Sequence, residues 1–147
     1  MQRRTFLLGS AAILLLPIPA MADAGIRATL YKNPQCSCCE GYAGYLRQHG
    51  FQVEVKPTND LAEISRKAGV PAELEGCHTM FIDNYVVDGH VPVNVVRRLL
   101  AEKPAIAGIT LPGMPMGSPG MAGTKTEKFV IYALTKDGKA PTVYATE

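Results

Sequence analysis

Three of the chain's four cysteines, Cys36, Cys38 and Cys39, fall within four residues of the run Tyr31-Lys32-Asn33-Pro34-Gln35-Cys36-Ser37-Cys38-Cys39-Glu40, and the fourth, Cys77, stands directly before His78. A thiolate is the nucleophilic and metal-binding form of cysteine, and a cluster this dense oxidises and scrambles unless its chemistry is put to use. Cys36 and Cys39 form a Cys-x-x-Cys, which suits either disulfide exchange or soft-metal binding. Cys38 decides between these two. Inside a redox pair it is a competing partner for every disulfide formed, whereas for a metal it is one more ligand. Three thiolates on one turn, completed by Cys77 and His78, suit Cu(I) or Zn(II).

Each of these residues also has a plainer reading. Four cysteines can make two structural bridges, but Cys38 and Cys39 are adjacent and pair with each other only under strain. At most two of the clustered three can then pair comfortably together, leaving one for Cys77 or free. His78 could be a hydrogen-bonded, partly buried imidazole. His90, in Asp88-Gly89-His90, reads first as a turn residue and second as a ligand, and His49 as a structural residue favoured by the dipole of a helix end. Met114, Met116 and Met121 lie in a loop with no apolar stripe. Methionine is usually core filler, but thioethers are soft ligands that select Cu(I) over Zn(II). The loop's role stays open between copper ligation and a cover over the core.

The elements that position these residues follow from hydrophobic period and breakers. Ile26–Tyr31 alternates as a strand, Asn33-Pro34 breaks it, and Cys38–His49 reads as a helix stopped by Gly50. This loop-to-helix junction leaves backbone donors free, and together with the helix dipole they favour a thiolate. Gly41 and Gly44 each weaken the helix by up to about 1 kcal/mol, which implies that something packs closely against that face. Phe51–Val55 is a second strand. A short helix capped by Asn59 or Asp60 carries Leu61, Ile64 and Ala68 on one face. Thr79–Ile82 and Tyr85–Val87 form a hairpin about Asp83-Asn84. Pro92 opens a helix whose buried stripe is Val95, Val96, Leu99 and Leu100. A Pro/Gly/Met loop, Leu111–Met121, precedes a last hairpin, Phe129–Leu134 with Thr142–Tyr144.

Strand, helix, strand, helix, strand, strand, helix is the order of an α/β thioredoxin-like fold, a central mixed sheet flanked by helices, here followed by the Pro/Gly/Met loop and hairpin. In such folds the reactive cysteines occupy the loop after the first strand, where Cys36 to Cys39 stand. The residue before the third strand is usually a cis-proline. In this chain it is His78, which puts an imidazole in place of a substrate-binding kink and favours metal over disulfide exchange.

Residues 1–22 read as an export signal. Arg3-Arg4 precede an apolar run of about a dozen residues, too short for a spanning helix of roughly 20, and Ala20-Met21-Ala22 is a cleavage site. Arg3-Arg4-Thr5-Phe6-Leu7 resembles the twin-arginine signal. Removal leaves residues 23–147 as one domain with 13 basic and 13 acidic residues. That balance argues against nucleic acid or an anionic membrane surface as partner. No stable membrane insertion is expected after cleavage, and export brings the thiols into an oxidising compartment.

The Tyr-x-x-Pro-x-Cys-x-Cys-Cys run, Gly76-Cys77-His78-Thr79, Asp88-Gly89-His90-Val91-Pro92, Pro112-Gly113-Met114-Pro115 and Gly117-Ser118-Pro119-Gly120-Met121 together resemble a bacterial periplasmic metal-binding family formerly classed as a domain of unknown function, which includes CopG-type copper-resistance proteins. The resemblance spans nearly all of residues 23–147. It implies a thioredoxin-like domain that binds copper at Cys36, Cys38, Cys39, Cys77 and His78, with Met114 and Met121 as further ligands. The expected function is periplasmic: to sequester Cu(I) or hand it to other copper-handling proteins, with zinc as the second candidate metal. The competing expectation is a thiol–disulfide or copper oxidoreductase using the same cysteines.

Overall fold

The computed structural model describes residues 25–147, and the leader read over residues 1–22 lies outside the described residues. Strand β1 (Arg27–Lys32) turns Ala28, Leu30 and Lys32 inward. Helix α1 (Ser37–Gln48) carries the chain over to β2 (Gln52–Pro57), which pairs with β1 in parallel. After α2 (Leu61–Lys67) and a single 3-10 turn at Ala72–Leu74, β3 (His78–Ile82) runs antiparallel along the other side of β1. Asp83, with φ at 51°, makes the tight turn into β4 (Tyr85–Asp88), a conformation that a short polar side chain tolerates. Helix α3 (Val93–Glu102) follows Pro92, and a left-handed Lys103 ends it before Pro104.

Beyond α3 the chain adds β5 (Gly108–Thr110), β6 (Val130–Leu134) and β7 (Thr142–Thr146), giving one seven-stranded mixed sheet in the order β2-β1-β3-β4-β5-β6-β7. Its first four strands and three helices have the thioredoxin-like arrangement expected from the element order. Strand β5 was not foreseen, because three residues are too few to show an alternation. Its Gly108 lies where any Cβ would overlap the Val86 carbonyl, so the sequence offers a glycine where a strand former would be looked for.

Alternate residues of β4 divide the interior into two layers. Val87 belongs to the main core with Leu30, Met80, Ile82 and Ile109, together with Tyr42 and Leu46 of α1 and Val95, Val96 and Leu99 of α3. Val86 points the other way, into a small cluster with Val70 and Leu134. Each large apolar side chain fully buried in the main core contributes about 1.5–3 kcal/mol, so α1 and α3 are firmly held. In α3 it is Val93 rather than Leu100 that completes the buried stripe, Leu100 being only half-buried. Helix α2 buries only Ser65, whose hydroxyl lies 2.6 Å from that of Thr79 on β3.

The close packing expected at the α1 glycines occurs at one of them. The backbone of Gly120, in the loop between β5 and β6, rests on Gly41 and Tyr42, and a Cβ on Gly41 would crowd the Gly120 carbonyl. Gly120 itself has φ at 81° and meets the Tyr42 backbone with no room for a side chain. Gly44 faces open space. Gly44→Ala is therefore expected to raise stability by about 0.5–1 kcal/mol through helix propensity alone. Gly41→Ala should lose that gain and a further ~1 kcal/mol by pushing the loop away. Urea midpoints at unchanged slope test both substitutions.

Candidate metal centre

The end of β1 and the start of α1 are joined by a tight turn. The Cys36 N–H donates to the Asn33 carbonyl at 3.0 Å, and the Gln35 N–H donates to the Asn33 side chain at 3.1 Å. Cys36 caps α1 in an extended conformation and provides no side-chain cap bond, so the first amides of the helix stay free to favour negative charge. Cys36 and Cys39 are joined as a disulfide, while Cys38 and Cys77 are free thiols. The Cys38 sulfur lies 3.4 Å from that of Cys36 and 3.7 Å from that of Cys77, and the Cys39 and Cys77 sulfurs are 3.5 Å apart. All four sulfurs lie within 4.8 Å of one another.

A second donor group shares Cys77. Its sulfur is 2.9 Å from Nε2 of His90 and 3.6 Å from Nδ1 of His78, and these three ligand atoms also lie within 4.8 Å of one another. The Pro119 carbonyl can only accept, so His90 donates Nδ1–H to it at 2.6 Å and presents the Nε2 lone pair to Cys77. His78 Nε2 is buried with no hydrogen-bond partner among the described residues. Burying an unpaired polar atom is costly, and the other ring nitrogen, Nδ1, is the one that faces the Cys77 sulfur. The donors, thiols and neutral imidazoles, fit a thiophilic metal.

Burial disfavours charge on Cys77, His78 and His90. It raises the Cys77 thiol to about 12, with the neighbouring Cys38 adding to the effect. Burial lowers His78 to about 3, helped by His90, and lowers His90 as well. A metal bound here must displace the Cys77 proton, and its charge is then not opposed by imidazolium.

The segment carrying Cys77 is fastened from behind by Asp88, a fully buried carboxyl that accepts from the Gly76 amide and, at 2.7 Å, from the Thr79 hydroxyl. Burial raises Asp88 to about 6 against these two hydrogen bonds. Tyr42 closes the other side. Its hydroxyl donates to the Val91 carbonyl at 2.8 Å, and its ring centroid lies 4.7 Å from that of His78 and 5.3 Å from that of His90.

The structure thus brings Cys36, Cys38, Cys39, Cys77 and His78 together. It adds His90, for which a turn is the first reading of the sequence and a ligand the second, and the supporting Asp88 and Tyr42. The motif Asp88-Gly89-His90 held the signal, but nothing in it showed that the imidazole would be buried. His49 is structural as expected, its Nδ1 lying 2.8 Å from the Tyr45 carbonyl. Met114 stands on the surface, 54% exposed, and Met121 is half-buried beside Gly120. Met116, 61% exposed, lays its methyl end against Gly123.

Comparison with known proteins matches residues 74–121 to a family described as protein of unknown function, DUF411. That stretch holds Cys77, His78 and His90 but not the Cys36–Cys39 run. Among solved structures, form 2 of copper resistance protein copG matches with a TM-score of 0.77 and form 1 with 0.76. Each is 31% identical and covers 84% of this chain and 98% of its own. No curated protein matches the chain.

The shifts set the acid response of the metal-free fold. His78 has a folded value of about 3 against an ordinary 6.5, so below pH 6.5 the unfolded chain takes up the proton first. Stability is then lost on acidification by about 1.4 kcal/mol per pH unit for His78, and His90 acts in the same direction. Asp88 opposes them. Its folded value, about 6, exceeds the ordinary 3.8, so protonation between those limits favours the fold. Urea titrations of metal-free protein should show stability falling from pH 6.5 to 4, less steeply below 6. His78→Gln should flatten the slope by about one proton, and a slope unchanged by that substitution contradicts its neutral burial.

Proposed function

The chain belongs to the family of the copper resistance protein copG, and on that premise we propose that it binds copper as Cu(I) in copper resistance, holding it or passing it to other copper-handling proteins. One observation carries the reading: four cysteine sulfurs lie within 4.8 Å of one another. Crowded thiolates repel, and a soft monovalent cation that several sulfurs share removes the repulsion. In this reading Cys36, Cys38, Cys39, Cys77 and His78 are the ligands, and Met114 and Met121 are outer thioether ligands on the loop. Zinc is the second metal this donor set suits. The protein acts after export to the periplasm and cleavage behind Ala22, and an N-terminus at Asp23 in the exported protein is the expected sign.

The Cys36–Cys39 disulfide supports a second reading, thiol–disulfide or copper oxidoreduction, because it spans a Cys-x-x-Cys at a helix start with two free thiols in reach. In the closed form two sulfurs are withdrawn from ligation, so metal loading at all four requires two-electron reduction by a thiol reductant.

Anaerobic Cu(I) titration against a competing chelator tests the first reading. Reduced protein should bind at least ten times more tightly than its Cys38→Ser variant and than protein with Cys36–Cys39 closed, a difference of about 1.4 kcal/mol or more. Affinity left unchanged by Cys38→Ser contradicts the shared-sulfur site. Retention of thiol–disulfide turnover by a Cys38→Ser variant that has lost copper would favour the second.

A further inference from the structure

Lys32 is 3% exposed, and its ammonium lies under the cysteine turn. Nζ donates to the carbonyls of Asn33 at 3.3 Å, Pro34 at 3.3 Å and Cys36 at 3.2 Å, and Glu40 Oε1 approaches it at 3.3 Å. An ammonium has three N–H groups, so the three carbonyls engage all of them. The residue's main chain is fixed independently. It pairs with His78 of β3 on one side and with Pro57 of β2 on the other, and its carbonyl accepts the Thr58 amide at 2.8 Å. One residue therefore has its backbone inside the sheet and its charge inside the turn.

We propose that Lys32 is the positioning residue of the cysteine cluster, setting the Cys-x-x-Cys against Cys77-His78. It grips both flanks of the pair: Cys36 through its carbonyl, and Cys39 through the carboxylate of the next residue, Glu40. The same residue lies opposite His78 in the sheet, so the two thiol-bearing segments are referred to one point. An apolar side chain there would leave three carbonyls without their donor, and the turn would reorganise to find others.

This inference concerns the metal-free protein and is tested without copper. Closing the pair converts the Cys36 and Cys39 thiols plus one glutathione disulfide into the protein disulfide plus two glutathione thiols, a transfer of two electrons and two protons. Lys32→Met should lower the equilibrium constant for closure about tenfold, raising the potential by about 30 mV, and disulfides through Cys38 should appear in peptide maps of the quenched protein. Two outcomes overturn the proposal. One is an equilibrium within twofold of the parent with Cys36–Cys39 pairing intact. The other is tighter closure, which is what loss of a charge that merely favoured thiolates would produce. A purely structural role would lower the urea midpoint and leave equilibrium and pairing alone. If Lys32→Met does not fold, Lys32→Gln, whose shorter amide keeps two donors, should show a fall of roughly threefold with the same mispairing, and native behaviour in it overturns the proposal equally.

Discussion

The antiparallel pairing of β1 with β3 is the constraint on which the centre depends. It sets Lys32 opposite His78 and Tyr31 opposite Thr79, so the turn leaving β1 and the segment entering β3 meet at one end of the sheet. Cys38 and Cys77, 39 residues apart in sequence, come within 3.7 Å as a result. A slip of one residue would send every side chain of β3 to the other face. His78 would leave the cluster and Thr79 would leave Ser65. Asp88 guards the register from the neighbouring strand, since it bonds both Thr79 within β3 and Gly76 just ahead of it. Gly76 and Gly89 then touch backbone to backbone where a side chain on either would not fit.

Given that geometry, electrostatics decides what state the sulfurs can hold. Four thiolates at these separations would repel strongly in a partly buried site, and burial itself disfavours charge on Cys77. Protonation, covalent pairing and cation binding each relieve the repulsion, and the structure shows covalent pairing. Cys36 and Cys39 are joined, while Cys77 stays a thiol against the His90 lone pair. Covalent pairing uses only two of the four sulfurs. It leaves Cys38, Cys77 and both imidazoles as donors, with His78 Nε2 lacking a hydrogen-bond partner among the described residues. The oxidised centre thus keeps two free thiols and one buried imidazole nitrogen unpaired among the described residues.

Elements with a clear period were legible in the sequence. The alternation at β1, β2 and β6, the Asp83-Asn84 turn and the stop at Gly50 all mark structure within a residue or two of where it lies. The sulfur half of the centre was legible too, because cysteine spacing reflects local geometry. His90 was not. Its neighbours Asp88 and Gly89 look like a solvent-exposed turn, and its burial depends on the Pro119 carbonyl, 29 residues further on. Asp88 was obscured for the same reason, as a carboxyl at a strand end is normally solvated and this one is buried only because β5 continues the sheet beside it. Composition alone could not show how far each methionine of the loop is exposed, and Met114 is 54% exposed.

The Pro/Gly/Met loop carries more of the centre than its composition suggests. Gly113 donates its amide to the Glu75 carbonyl at 3.2 Å, just ahead of Cys77, and Pro119 takes the His90 proton at 2.6 Å. Directly after the second tie the loop comes to rest on α1 at Gly120. It therefore touches all three parts of the site: the segment of Cys77, the imidazole of His90 and the helix of Cys38 and Cys39. The tie at Pro119 has a chemical consequence. A carbonyl at Nδ1 fixes the tautomer of His90, so the nitrogen facing Cys77 is always the one with the lone pair. Without that contact the imidazole could place its proton on either nitrogen, and the Cys77 thiol would lose its acceptor in the tautomer protonated at Nε2. A segment without regular secondary structure thus sets the protonation pattern of a centre whose sulfurs are supplied by the sheet and helix.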